Sequence, residues 1–127
     1  MKFDYTKYIR TYLLSLKPYR SARDDYKGGE SPMVLLDANE NPFETPVNRY
    51  PDPMQRVLKK EIASWKGLDV NQIYLSNGSD EFISQVIMGC CEPGIDNIMI
   101  VPPTFGMYEV SAKMFGVGIQ KVPLTTN

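Results

Sequence analysis

From Gln72 onward, short apolar runs alternate with amphipathic stretches, and few folds accept that order. Gln72–Leu75 reads as a strand, and Ser79–Cys91 as a helix with Phe82, Ile83, Val86, Ile87 and Cys90 inward. Glu92-Pro93-Gly94 ends that helix. Asn97–Val101 then reads as a second strand, Gly106–Phe115 as a helix and Val117–Val122 as a third strand. The βαβαβ order predicts an α/β fold built on a parallel sheet with right-handed crossovers. Three strands and two helices are few for a complete sheet of this kind. No helix follows the last strand, so the expectation is a fragment.

The preceding residues follow other rules. Residues 5–16 have helical spacing, with Tyr5, Tyr8, Ile9, Tyr12, Leu13 and Leu16 on one face, and Pro18 stops the pattern. Residues 28–53 hold two glycines and five prolines, which excludes a long helix or a central strand. The apolar run Met33-Val34-Leu35-Leu36 within it predicts an extended segment lying across a larger body. Asp52 is suited to cap a helix with Pro53 at its first position and Gln55 completing a capping box. Met54, Val57, Leu58, Ile62 and Trp65 form one stripe, with Gly67 as the stop, so Trp65 is expected in the core. The boundaries drawn are an N-terminal helical arm over 1–28, an extended crossing segment over 29–51, and an incomplete α/β domain over 52–127.

A chain of 127 residues can bury one modest core, and its net charge of −1 argues against a general affinity for nucleic acid. Charge is uneven, however. Residues 1–28 carry seven Lys/Arg against three Asp/Glu, while the remainder carries seven against twelve. A basic, aromatic arm packing on a more acidic body accounts for that split, and so does an ordinary solvated helix face. No signal peptide and no apolar run of ~18–20 residues is present, so the reading is cytoplasmic with no membrane span. Cys90 and Cys91 are adjacent, where a mutual bond would be strained, and they read as buried thiols in a reducing compartment. With no histidine and no zinc-type cysteine spacing, a protein metal site is not expected.

The chemistry concentrates in two loops. In open α/β sheets ligands bind beyond the carboxyl ends of the strands. Ser76-Asn77-Gly78-Ser79 offers amides and a hydroxyl to an anion at a helix start, and Pro102-Pro103-Thr104-Phe105 offers an aromatic ring to a planar heterocycle. Asp80 and Glu81 would repel a phosphate directly, so they should point sideways while the backbone binds. Read singly, Ser79 is equally an ordinary N-cap and Phe105 a core residue.

Several motifs in order carry more weight than any one. They are Lys17-Pro18-Tyr19-Arg20-Ser21-Ala22-Arg23, Leu36–Phe43 (LDANENPF), Arg49-Tyr50-Pro51-Asp52-Pro53, Asn77-Gly78-Ser79-Asp80-Glu81 and Pro102–Tyr108 (PPTFGMY). Over nearly the whole chain from residue 17, this set resembles the histidinol-phosphate aminotransferases among the fold-type-I pyridoxal-phosphate (PLP) enzymes. The resemblance implies that Gly78, Ser79 and Asp80 receive the cofactor phosphate. It implies that Phe105 stacks on the pyridine, where the family more often has tyrosine. Tyr50 is similar to a tyrosine whose hydroxyl reaches the cofactor phosphate of a neighbouring subunit, which implies a homodimer. Tyr19 and Asn39 resemble residues facing a small amino-acid phosphate substrate, although turn chemistry beside Pro18 and Pro42 is an alternative for both.

The resemblance further implies a Schiff-base lysine and an aspartate paired with the pyridine nitrogen, both beyond the region represented here. None of the lysines present falls in a motif suited to that role, so no catalytic residue is assigned and this polypeptide alone is expected to be inactive. The reaction implied converts histidinol phosphate and 2-oxoglutarate to imidazole acetol phosphate and glutamate. Alternatives are a sister PLP aminotransferase, a threonine-phosphate decarboxylase, or an inactive fragment that binds a phosphate or a partner subunit.

Overall fold

Asn97–Ile100 (β1) and Gly118–Lys121 (β2) run parallel, in a register that sets Asn97 opposite Gly118 and Ile100 opposite Lys121. They belong to a computed structural model that describes residues 3–21, 34 and 36–125. The other elements are Thr11–Leu14 (α1), Arg56–Lys66 (α2), Gly78–Cys90 (α3) and Met107–Met114 (α4), with short 3-10 turns at Tyr5–Lys7 and Val70–Gln72. The chain divides into two units, Met1–Leu16 with Ser76–Asn127, and Lys17–Leu75.

In the first unit α4 carries the chain from β1 to the parallel β2, as a βα crossover requires. Its core is small. Ile83 and Ile87 stand four residues apart on one face of α3, and they bury against Ala112 of α4 and Val117. Cys91, Ile98, Phe115 and Ile119 pack around them. Between the helices the buried Ser111 hydroxyl meets that of Ser84 at 3.1 Å, so the close approach leaves no polar group unsatisfied. Glu109 joins α4 to β2, with Lys113 Nζ at 2.7 Å and Lys121 Nζ at 2.8 Å.

The N-terminal residues of this unit dock on the end of α3. Arg10 N donates to Gly89 O at 3.0 Å and Arg10 Nη1 to Met88 O at 3.1 Å, satisfying two carbonyls that the helix terminus leaves open. The guanidinium also forks onto Glu92. Of the two accounts of the uneven charge, a basic arm packed on an acidic body describes Arg10. Tyr5, Tyr8 and Tyr12 stay exposed.

In the second unit Gly67, at φ 64°, closes α2 in the left-handed conformation, as the sequence predicts. The start of α2 differs from expectation. The main chain turns at Asp52, whose carboxylate accepts from Met54 N at 3.0 Å and Arg56 N at 2.8 Å. Gln55 then adopts φ 46° and makes no side-chain cap, so the helix begins at Arg56 and not at Pro53. The same two amides, Arg56 first, hold the Asp52 carboxyl below its ordinary pKa.

Four further expectations need correction. Gln72–Leu75 forms no strand. Val70–Gln72 is a 3-10 turn closed by a capping box from Asp69, and Ile73 is extended without a ladder partner among the described residues. The helix expected over 5–16 is broken into a 3-10 turn at Tyr5–Lys7 and α1, because Arg10 between them spends its own amide on Gly89. Trp65 is 77% exposed with Lys66 Nζ 3.7 Å above its ring, and of the residues of α2 only Ala63 is buried. Cys90 is exposed and Cys91 half-buried, and Phe82 and Val86 are likewise more exposed than expected. The burial that does reach Cys91 pushes its thiol pKa up.

Candidate functional site

The turn before α3 has the shape its sequence requires. Gly78 takes φ 78°, a conformation that L side chains rarely adopt, and beyond its chain neighbours and its own helix backbone no atom of the described residues lies within 4 Å of where a Cβ would stand. Gly78 N donates to Ser76 O and Ser76 Oγ donates to Gly78 O, both at 2.9 Å, which folds the approach into a tight loop. The next two amides, Ser79 and Asp80, have no acceptor among the described residues. They therefore stand at the positive end of a 13-residue helix with open donors.

One of the nearby acids is already engaged at the helix start. Glu81 turns back along the helix, where its Oε2 accepts from Asn77 N and its Oε1 from Gln85 Nε2 at 2.9 Å. A phosphate monoester, which needs several N–H donors and open space, suits this donor set.

Phe105 lies just before α4, half exposed, with its ring edge-on to Tyr108 at 6.2 Å between centroids. On either side of it in sequence, Thr104 and Tyr108 line an apolar hollow of about 430 Å³. Phe82, from the first turns of α3, lines the same hollow together with Ile98–Val101. Side chains of α3 and of the segment around Phe105 thus line one hollow along β1, and neither Phe105 nor Gly78, Ser79 and Asp80 is among its lining residues.

In the second unit the structure joins two other predicted residues. Tyr50 donates its hydroxyl to Asn39 O at 3.2 Å. Its amide donates to Glu40 Oε1, and Arg49 Nη1 meets Glu40 Oε2, each at 2.8 Å. Reading by motif assigned no function to Glu40, and no local spacing signals one, because its partners lie nine and ten residues away. Tyr19 is 91% exposed. Candidate residues thus fall into one group in each unit: Gly78, Ser79, Asp80 and Phe105 in the first, and Tyr19, Asn39 and Tyr50 in the second.

An α/β fragment with a glycine turn opening α3 and an aromatic loop opening α4 defines a class, and the sequence comparisons give that class a family. Residues 22–127 match the family Aminotransferase class I and II, and the chain belongs to it. It is 50% identical over 119 residues, 94% of its length, to a protein of Parabacteroides distasonis named histidinol-phosphate aminotransferase. Proteins of the same name from Cytophaga hutchinsonii and Bacteroides fragilis are 48% and 51% identical over 98% and 91% of the chain. The chain spans about a third of these relatives, covering 34%, 36% and 33% of their lengths respectively.

Proposed function

We propose that this chain is part of a PLP-dependent transaminase of histidine biosynthesis. The intact protein would take histidinol phosphate and 2-oxoglutarate to imidazole acetol phosphate and glutamate, acting in the cytoplasm as a homodimer. The observation that carries the reading is the pair of amides at Ser79 and Asp80, without an acceptor among the described residues, in a chain about half identical to proteins named for that activity.

In this reading, the amides that follow Gly78 hold the phosphate of PLP, and the helix end complements its charge. Phe105 lies against the pyridine ring; phenylalanine retains the stacking of a tyrosine and lacks its hydroxyl. Tyr50 gives its hydroxyl proton to the phosphate bound by a neighbouring subunit, which requires that proton to leave Asn39 O. Tyr19 and Asn39 face the substrate. PLP, when bound, serves as the electron sink, and the lysine that bonds to it covalently lies outside this chain.

Glutamate formation by the intact protein, with histidinol phosphate compared against phenylalanine as amino donor, tests the substrate. A clear preference for histidinol phosphate is expected. Equal rates, or a preference for phenylalanine, would defeat the assignment in favour of a sister aminotransferase.

A further inference from the structure

The fastening of Tyr50 extends the reading above, on which it rests. The Glu40 side chain is 4% exposed, and both of its carboxylate oxygens are engaged. Oε2 receives the Arg49 guanidinium, and Oε1 receives the amide of Tyr50, the next residue. Charge-assisted bonds of this kind are shorter and stronger than neutral ones. Asn48 Nδ2 adds a weaker tie to Asn41 O at 3.4 Å. Residues 39–41 and 48–50 are thereby laced together, with Glu40 as the central tie.

We propose that Glu40 is a positioning residue that fixes where Tyr50 stands. Its grip falls on the Tyr50 main chain, while the phenol is held separately through Asn39 O. The backbone is thus a fixed pivot, and the ring is left to turn. A tyrosine hydroxyl has one proton, so it serves either the Asn39 carbonyl or an incoming phosphate oxygen, not both. An anchored pivot lets the hydroxyl change partners without the loop having to reorganise, which limits the ordering cost of binding. The ligand class is a phosphate monoester.

The test uses the intact protein labelled with 15N-tyrosine, the Tyr50 amide being assigned by its absence in Tyr50→Phe. Glu40→Gln keeps one acceptor and loses the charge; Glu40→Asp keeps the charge but is one methylene short of reaching both donors. In both, the Tyr50 amide proton is expected to move upfield. PLP is expected to dissociate about tenfold more readily, as in Tyr50→Phe, and combining Glu40→Gln with Tyr50→Phe should add little more. A Tyr50 amide unmoved in both Glu40 variants overturns the proposal, and so do fully additive effects on PLP dissociation. If the amide moves while Tyr50→Phe leaves PLP binding unchanged, the anchoring is supported and only the phosphate role of Tyr50 falls.

Discussion

Arg10 and Glu92, 82 residues apart in the chain, meet fork to fork: Nε lies 2.9 Å from Oε2 and Nη2 lies 3.2 Å from Oε1. The pair sits just beyond the last turn of α3, where a cation is favoured by the helix dipole. The carboxylate in turn pushes the guanidinium pKa further up.

Replacing Arg10 with alanine is therefore expected to fray that turn. Hydrogen exchange at the Cys91 amide, bonded to Ile87 O, should accelerate roughly tenfold, while the Val117 amide keeps its protection. Arg10→Lys should recover only part of the effect, because lysine cannot fork. Unchanged exchange in Arg10→Ala would show that the arm contributes nothing to this helix end.

Glu109, held by Lys113 and Lys121, titrates at about 2 in place of the ordinary 4.5. A carboxyl whose folded pKa is depressed contributes stability above its unfolded value and loses it as pH falls toward the folded one. Denaturant unfolding should accordingly show stability declining between pH 4.5 and about 2. Glu109→Gln should flatten that slope; an identical slope in the variant would assign the acid sensitivity to other groups.

At Gly78, an alanine would have to hold φ 78°. The expected cost is about 1–2 kcal/mol, measurable by chemical denaturation. On the proposed phosphate role of this turn, PLP retention by the intact protein should weaken beyond what the stability loss explains, since the turn would relax and redirect the amides. A variant as stable as the parent would mean that the turn tolerates a side chain without strain.

Ile87→Ala removes a side chain that is only 5% exposed from the centre of the small core. A loss of about 2–5 kcal/mol is expected by calorimetry or denaturant titration. Val86→Ala, on the exposed side of the same helix, should fall well below that range. Comparable losses would contradict the burial of the Ile83–Ile87 face.

Much of this architecture was legible in the sequence because local signals agreed. Around α3 and α4, apolar spacing, glycine and proline fall together, and the strands at Asn97–Ile100 and Gly118–Lys121 lie where apolar runs predict. Ile73-Tyr74-Leu75 shows why such runs are insufficient: a strand exists only by pairing, and the sheet among the described residues consists of β1 and β2. Residues 5–16 fail for a related reason. Their spacing is helical, but the amide of Arg10 finds a better acceptor on another element than in its own turn. At the candidate site the Gly78 turn could be read directly, because its chemistry is contiguous. Glu40 could not, because its role emerges only when residues nine and ten positions away fold back onto it.

Trp65 is the chain's single tryptophan and stands outward on α2 beneath the Lys66 ammonium. Its indole emission consequently gauges whether one helix face is wet or dry, with no label attached. A shift to the blue would announce that something apolar has come to rest there, and quenching that fades with added salt would trace the lysine's departure.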